Sequence, residues 1–366
     1  MVSFFYQTLI NDIISNMGGI NMEKIFFFSD NTAAVHPTIM QALVDGNKGH
    51  GIAYGLDDDA KRVNEMFKAL CGRDVDVMYL NGGTGANVLA MDSLMNSYEA
   101  LICADCCHIH TTEMSAFEKI VGAKIYTTSS VNGKINLEEA QKYVDEMSNT
   151  FHHNHPSVVS IAQTTEVGTV YTIEEIRAVC DFAHKNGLKV HMDGARISNA
   201  LAYLGCTFKE MCVDTGVDVV TFGGTKNGLM FGEANLYFDK EAYKKAWFLQ
   251  KQDLQVISKR RYLPLQFEAF LKDDLYLKLA RHANSIILED LQEGIKDLNI
   301  TLSAPLESNQ AFLVLDNEVV EKLSEKYAFA VNKNLGNKKE IRLVSTFMTT
   351  HEEMNEFVND LKELVK

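Results

Sequence analysis

The chain is short of positive charge and has no long hydrophobic run. Its 366 residues include 35 Lys and Arg but 49 Asp and Glu, which gives a formal net charge of −14 at pH 7. An acidic surface repels polyanions, so we do not expect nucleic acid as a partner. No apolar stretch approaches the roughly 18 uncharged residues of a membrane-spanning helix, so no membrane association is expected either.

Basic residues are also missing from the start of the chain. No Lys or Arg precedes Lys24, and polar residues such as Asn11 and Asp12 interrupt the apolar positions there. A secretory signal needs a basic start and an unbroken apolar core, so we do not predict one. We interpret residues 1–28 as an extension or amphipathic helix that packs on its own protein or on a second subunit. Met22 could equally be the natural start.

The seven cysteines are an odd number scattered along a long chain, which predicts reduced thiols in a cytoplasmic protein. Three of them lie with two histidines in the segment 103–110, but no later Cys-x-x-Cys pair completes a zinc site. We therefore predict buried thiols at a strand end and no bound metal. The histidine-rich segment 151–156 is interpreted as a surface loop.

Prolines are few, and short apolar segments alternate with helical patterns along the chain. The segment 172–186 predicts a helix, because its apolar residues share one face and Thr172 with Glu175 forms a capping box. Such alternation favours an α/β fold with a mostly parallel sheet of seven strands flanked by helices. The seven predicted strands are Asp76–Leu80, Ala100–Ala104, Lys124–Thr127, Ser157–Gln163, Leu188–Met192, Asp218–Phe222 and Glu233–Phe238.

The pattern changes after Asp239, where long amphipathic helices such as Tyr276–Lys296 accompany shorter strands such as Ile341–Val344. This change predicts a smaller α+β domain at the end of the chain. We place the large domain at residues 29–275 and the small C-terminal domain at 276–366.

Three predicted strands are followed by residues suited to chemistry, and ligands collect at such strand ends in open α/β sheets. Gly83, Thr84 and Gly85 open a helix whose backbone N–H groups suit a phosphate. Asp193 and Lys226 follow two later strands in glycine-rich segments. Each signal is weak alone, because a tight turn needs glycine, a strand-end acid has several uses, and a loop lysine is usually solvated.

Together these residues resemble the fold-type-I enzymes that use pyridoxal 5′-phosphate (PLP), in the same chain order. In such enzymes a lysine carries the cofactor as a Schiff base, and an acid keeps the pyridine nitrogen protonated so that the ring accepts electrons from the substrate. The resemblance assigns the Schiff base to Lys226 and the ring nitrogen to Asp193. Gly83, Thr84 and Gly85 would hold the phosphate.

Further motifs make the sequence similar to the low-specificity L-threonine aldolases over most of its length. The similarity implies a fold-type-I, PLP-dependent lyase that cleaves L-threonine, L-allo-threonine or a related β-hydroxy-α-amino acid to glycine and an aldehyde. The motifs are Ser29–Thr32, Tyr54–Asp58, Gly82–Asn87, Cys106–His108, Asp193–Arg196, Thr225–Leu229 and Ile341–Val344.

This resemblance also implies substrate-binding residues and a base. Ser29, Arg196 and Arg342 would bind the substrate carboxylate, which the planar guanidinium group matches. His108 would stack on the cofactor ring. Glu166 stands where many family members have a histidine near the β-hydroxyl, so we expect His108 or Glu166, or a water that one of them orients, to be the base.

Two alternatives stay open. The same cofactor apparatus serves β-elimination, which would yield pyruvate and ammonia instead of glycine and an aldehyde. A protein of this fold could also bind a ligand without catalysis, although the intact set of lysine, aspartate and arginine residues argues against that role. The resemblance further implies a homodimer or homotetramer that takes a small amino acid substrate.

Overall fold

The structure is a computed structural model that describes residues 24–148 and 150–365 and divides into two compact units. One unit comprises residues 34–281, and the described part of the other comprises 24–33 with 282–365. Most of the predicted N-terminal helix within residues 1–28 lies outside the described residues. In the described ranges no helix is both long enough and apolar enough to cross a membrane.

The strands alternate with helices along most of the chain. In chain order they are β1 (Ile25–Phe26), β2 (Asp76–Leu80), β3 (Glu99–Ala104), β4 (Lys124–Thr128), β5 (Ser130–Val131), β6 (Lys134–Ile135), β7 (His155–Ala162), β8 (Lys189–Gly194), β9 (Val219–Gly223), β10 (Glu233–Tyr237), β11 (Thr301–Leu302), β12 (Gln310–Asp316), β13 (Tyr327–Ala328), β14 (Ala330–Leu335) and β15 (Lys338–Val344).

The helices between them are mostly 10 to 14 residues long. They are α1 (Pro37–Gly46), α2 (Asp58–Cys71), α3 (Gly83–Leu94), α4 (His108–Thr111), α5 (Ala116–Ile120), α6 (Leu137–Met147), α7 (Ile173–Lys185), α8 (Ile197–Leu204), α9 (Lys240–Gln252), α10 (Tyr262–Leu271), α11 (Leu275–Ser285), α12 (Gln292–Ile295), α13 (Asn317–Lys326) and α14 (His351–Leu364), with 3-10 turns at Asp30–Thr32, Ala53–Gly55, Thr225–Asn227 and Lys272–Asp274 and π turns at Lys209–Val213 and Ile286–Leu291.

The unit 34–281 is built on a seven-stranded sheet in the order β2-β10-β9-β8-β7-β3-β4. Strands β4, β3, β7, β8 and β9 pair in parallel, and β10 is antiparallel to both of its neighbours, β2 and β9. The predicted α/β fold with a mostly parallel seven-stranded sheet flanked by helices is therefore confirmed. Parallel strands end at the same edge of a sheet, so the strand-end motifs fall on one side of this unit.

The core of this unit anchors the strand that leads to Lys226. Phe222 is fully buried near the end of β9, and its ring lies 5.6 Å from that of Phe67 and 6.4 Å from those of Phe267 and Phe270 between centroids. Aromatic rings at such separations stabilise a core beyond the area they bury. The backbone that follows Phe222 is thereby fixed in place.

Local sequence determines where the helices begin. At the start of α7, the Thr172 side chain accepts from Glu175 N and the Glu175 carboxylate accepts from Thr172 N, which is the predicted capping box. At the start of α3 the capping residue is Gly82, which has no side chain to accept a hydrogen bond. The first N–H groups of α3 therefore stay open to a ligand.

The second unit contains an antiparallel sheet in the order β11-β12-β15-β14, and β1 pairs in parallel with β13. Phe27 is fully buried there, and its ring lies 5.5 Å from Phe357 and 6.1 Å from Tyr327 between centroids. Phe27, near the start of the described residues, thus shares a core with the C-terminal segment. The predicted domains 29–275 and 276–366 remain a proposal about the organisation of the chain.

Candidate active site

Five of the predicted residue positions lie at the edge of the large sheet where the parallel strands end, and four of them belong to adjacent strands. Because β3, β7, β8 and β9 are neighbours, residues at their carboxyl ends lie close together. These positions are the start of α3 after β2, His108 after β3, Glu166 after β7, Asp193 in β8 and Lys226 after β9.

The start of α3 has the geometry of an anion site. A Cβ atom built on Gly82 or Gly83 would meet nothing within 4 Å, so the space beside these residues is open. Thr84 is exposed. A Cβ on Gly85 would lie 2.4 Å from the side-chain amide of Gln255, so that side chain would have to move to admit a larger residue. Backbone N–H groups and the positive end of the helix dipole both favour a phosphate.

Asp193 is a buried carboxylate with neutral hydrogen-bond donors. Its Oδ1 accepts from Ala195 N at 2.9 Å, and its Oδ2 accepts from Asn87 Nδ2 at 2.9 Å. Burial raises the pKa of the Asp193 carboxyl, but His191 and the hydrogen bond from Asn87 outweigh that effect and hold the pKa below its ordinary range. A buried anion whose partners are neutral suits a cationic group such as a protonated pyridine nitrogen.

Asn87 also connects Asp193 to His108. The same Asn87 Nδ2 donates to Glu113 Oε1 at 2.9 Å, and that oxygen lies 2.8 Å from His108 Nδ1. The Glu113 side chain is fully buried, whereas 31% of the His108 side chain is exposed. The hydrogen bond that His108 donates to Glu113 raises the pKa of the His108 imidazole. The nearby carboxylates of Glu166 and Asp193 add to this effect, and burial opposes it.

Lys226 is half-buried in a short turn that side chains hold at three points. Asn227 Nδ2 donates to Tyr276 O at 2.9 Å, and Gly232 N donates to Thr225 Oγ1 at 2.9 Å. Gly224 N donates to Glu233 Oε2 at 2.9 Å. The turn is therefore rigid on both sides of the lysine.

Glu233 was not among the predicted site residues. It is the first residue of β10 and pairs with Gly223 across the sheet, so its carboxyl lies beneath the lysine turn. Burial raises the pKa of Glu233 to about 7, although hydrogen bonds from Thr225 and Gly224 and the charge of Lys226 oppose that shift. The sequence signal for its role was an acidic residue at the start of an apolar strand, seven residues after the lysine.

Glu113 and Asn87 were also missed as site residues. Asn87 is part of a motif identified in the sequence, but only the structure shows that its side-chain amide contacts Asp193 and Glu113. Glu113 lies between α4 and α5 and follows the strand-end histidine closely in sequence. An acidic residue soon after a candidate catalytic histidine is the sequence signal for such an orienting partner.

The other predicted residues divide between the units. Arg196 is buried at the start of α8, and Glu166 is half-buried in the turn after β7. Ser29 and Arg342 belong to the second unit. There the Ser29 hydroxyl accepts from Asn31 N at 3.2 Å, and Arg342 Nη2 donates to Phe28 O at 3.4 Å, so the backbone around Ser29 contacts the arginine within one unit.

The residues in unit 34–281 fit PLP. The open glycines at the start of α3 suit the phosphate, and the buried Asp193 carboxylate suits the ring nitrogen. Lys226 supplies an amine on a rigid turn at the same sheet edge. A mostly parallel sheet with these three features is the arrangement of a fold-type-I PLP enzyme.

Comparisons with known proteins agree with this class. The model of the β-eliminating lyase family matches residues 27–334. The low specificity L-threonine aldolase of Pseudomonas aeruginosa is 37% identical over 299 residues, which cover 81% of this chain and 86% of that protein. The structure of the Leishmania major threonine aldolase has a TM-score of 0.89 at 30% identity and covers 93% of this chain and 100% of its own. An archaeal alanine:glyoxylate aminotransferase shares the fold, with a TM-score of 0.66 at 16% identity over 98% of this chain and 94% of its own.

The chain therefore belongs to the β-eliminating lyase family. It is a PLP-dependent lyase, as the resemblance to the low-specificity L-threonine aldolases implied.

Proposed function

We propose that the protein cleaves the Cα–Cβ bond of a β-hydroxy-α-amino acid, L-threonine or L-allo-threonine, to give glycine and an aldehyde. The observation that carries this proposal is the hydrogen-bonded series Asp193, Asn87, Glu113 and His108, which puts an oriented imidazole beside the carboxylate expected at the cofactor ring. Aldol cleavage needs such a base for the β-hydroxyl proton. The names of the similar Pseudomonas and Leishmania proteins support the same reaction.

The cofactor would be held by five positions of this chain. Lys226 would bind it covalently, Asp193 would face its ring nitrogen, and the backbone N–H groups of Gly83 and Gly85, with the Thr84 hydroxyl, would hold its phosphate. When bound, PLP withdraws electrons from the substrate Cα and so weakens the bonds to that atom.

Substrate orientation would depend on arginine. Arg196 and Arg342 would bind the α-carboxylate of the amino acid, with the Ser29 hydroxyl as a further donor. A guanidinium group donates two parallel hydrogen bonds to a carboxylate and stays charged at all relevant pH values. Fixing the carboxylate limits rotation of the substrate about Cα and so determines which bond is weakened.

The proton of the β-hydroxyl would pass to His108. Its Nδ1 is engaged by Glu113, which leaves Nε2 as the ring nitrogen that can accept a proton. A base must be neutral to act, so activity should rise with pH through the raised pKa of His108. Glu166 is the second candidate, because it lies close enough to influence the pKa of His108 electrostatically.

The test is product analysis with the cofactor-saturated enzyme. We expect L-threonine and L-allo-threonine, assayed separately, to yield acetaldehyde and glycine in equal amounts. Lys226→Ala should lose the visible absorption of the bound cofactor along with product formation. Retention of that absorption by the variant would refute the assignment of Lys226.

β-Elimination is the second candidate, because it is the reaction named in the description of the family. It would release pyruvate and ammonia and no acetaldehyde. If the enzyme binds the cofactor through Lys226 but makes pyruvate from a β-substituted amino acid, its reaction is β-elimination.

We also infer a homodimer or homotetramer in the cytoplasm, without nucleic acid or membrane partners. Several large apolar side chains in unit 34–281 are exposed, including Tyr54, Leu56, Trp247, Phe248 and Leu254. Monomeric proteins rarely leave such patches in water, so a second copy of the chain is the expected cover. The seven free thiols support a reducing compartment.

A further inference from the structure

We propose that Glu113 is a positioning residue for His108, and that Asn87 couples this pair to Asp193, so that the base and the carboxylate at the cofactor ring act as one unit. This inference rests on the proposed function, because it assigns His108 and Asp193 the roles given above. Neither Glu113 nor Asn87 would touch the reacting atoms in this arrangement. Each would act through the residue to which it is hydrogen-bonded.

The geometry of Asn87 is the first support. Its Nδ2 atom donates to Asp193 Oδ2 and to Glu113 Oε1, both at 2.9 Å. An amide nitrogen has two N–H donors, so this group is fully used by the two carboxylates. A residue that served only to begin α3 would have no need to bridge two acids.

Burial and charge are the second support. Asn87 is 2% exposed and the Glu113 side chain is fully buried, so two carboxylates lie within reach of one amide away from water. Two such anions require compensation, since like charges at short range disfavour each other. His108 supplies it to Glu113 at 2.8 Å, and the ring nitrogen would supply it to Asp193.

The hydrogen bond to Glu113 also selects one nitrogen of His108. A carboxylate accepts only, so Nδ1 must carry the proton in this contact, and Nε2 is left to exchange a proton with substrate. The charged groups that influence His108 are Glu113, Glu166 and Asp193. Removal of the charge on Glu113 should therefore make the His108 imidazolium less stable.

The first measurement is the pH profile of kcat/KM for the holoenzyme. Glu113→Gln keeps an acceptor oxygen but removes the charge, so we expect the acid limb to move to lower pH by about one unit or more. Glu113→Asp keeps the charge at a shorter reach. It should leave the limb near its original pH while kcat falls, because the imidazole is no longer held in place. An unmoved limb in Glu113→Gln would overturn the positioning role.

The second measurement tests the coupling through Asn87 and does not depend on turnover. The visible absorption of the bound cofactor is titrated with pH, without substrate, in the wild type, Glu113→Gln, Asn87→Ala and the double variant. We expect Glu113→Gln to shift this titration in the wild-type background but not in the Asn87→Ala background, since the link is then cut. Equal shifts in both backgrounds would mean that Asn87 transmits nothing.

Asn235→Ala is the matched control. The Asn235 amide donates to Ala86 O in the first turns of α3, at 2.8 Å, but contacts neither carboxylate. It should disturb the same helix without changing the response to Glu113→Gln. If Asn235→Ala abolished the shift caused by Glu113→Gln as Asn87→Ala does, Asn87 would only support the helix. That outcome would overturn the coupling.

The proposed function and the roles of Glu113 and Asn87 can be refuted separately. If the wild type shows no cofactor absorption that depends on Lys226, or forms no aldehyde, the proposed function fails first. If absorption and aldehyde formation are both present but the pH profile and the titration are unmoved, only the roles of Glu113 and Asn87 are wrong.

Discussion

At the scale of single residues, the identity of the base depends on two side chains that influence each other. His108 has an orienting partner in Glu113, and the carboxylate of Glu166 helps to raise the pKa of its imidazole. A general base is most effective when its pKa lies near the working pH. This arrangement favours His108 as the base and Glu166 as a group that adjusts it.

We therefore predict different effects of His108→Phe and Glu166→Gln. The first variant keeps a planar ring and removes the base, so kcat should fall by about 10²- to 10³-fold and the acid limb of its pH profile should vanish. The second should keep the limb but move it to lower pH, because a negative charge near His108 is lost. Steady-state kinetics between pH 5 and 9 would check both. If Glu166→Gln removed the limb and His108→Phe kept it, the roles would be exchanged.

At the scale of secondary-structure elements, the turn that carries Lys226 is fixed by the neighbouring strand β10. Glu233 begins that strand, and its buried carboxyl accepts from Gly224 N at the base of the turn. An ionised carboxylate without a cationic hydrogen-bond partner is costly in such a place, which is why the pKa of Glu233 rises from 4.5 to about 7. The raised pKa has a consequence for stability.

A carboxyl whose pKa is raised on folding contributes stability below the pKa of the unfolded chain, and that contribution is lost as pH rises towards the folded value. We expect the wild type to lose roughly 3 kcal/mol of unfolding free energy between about pH 4.5 and 7 from this group, at about 1.4 kcal/mol per pKa unit. Glu233→Gln keeps an acceptor for Gly224 and should not show this loss. Denaturant unfolding across that pH range, at saturating cofactor, measures the difference. Parallel pH dependence in the two proteins would contradict it.

The elements themselves could largely be predicted from the sequence, and the reason is local. The strand 76–80 and the capping box at Thr172 follow from apolar patterning and side-chain hydrogen bonds within a few residues. The hairpin of β5 and β6 was not predicted, because strands of two residues carry no periodicity. Glu113 and Glu233 were missed for a different reason. Each carries a weak sequence signal, but its role comes from a hydrogen bond to another element, with Asn87 and Gly224, that only the fold brings into place.

At the scale of the whole molecule, the exposed apolar surface of unit 34–281 is the clearest sign of a further partner. Phe248 and Leu254 are 76% and 87% exposed at and just after α9. Tyr54, Leu56 and Trp247 line a single cavity, and Trp247 precedes Phe248 directly in α9. The sequence implied an oligomer only by resemblance, because burial between chains leaves no mark that distinguishes an interface residue from a core residue.

We predict that this surface is covered by a second copy of the chain and that Phe248→Glu disrupts the assembly. A buried charge without a partner costs several kcal/mol, and the cost applies to every copy in a symmetric interface. Light scattering after size exclusion should show a smaller mass for Phe248→Glu than for the wild type. Phe151→Glu is the matched control for added charge. Phe151 is 90% exposed, but it lies in the loop before β7, outside α9 and the cavity lined by Tyr54, Leu56 and Trp247, so the mass should be unchanged. An unchanged mass for Phe248→Glu would mean that α9 faces solvent in the native protein. Loss of mass in both variants would point to a general effect of added negative charge on a chain whose formal charge is already −14.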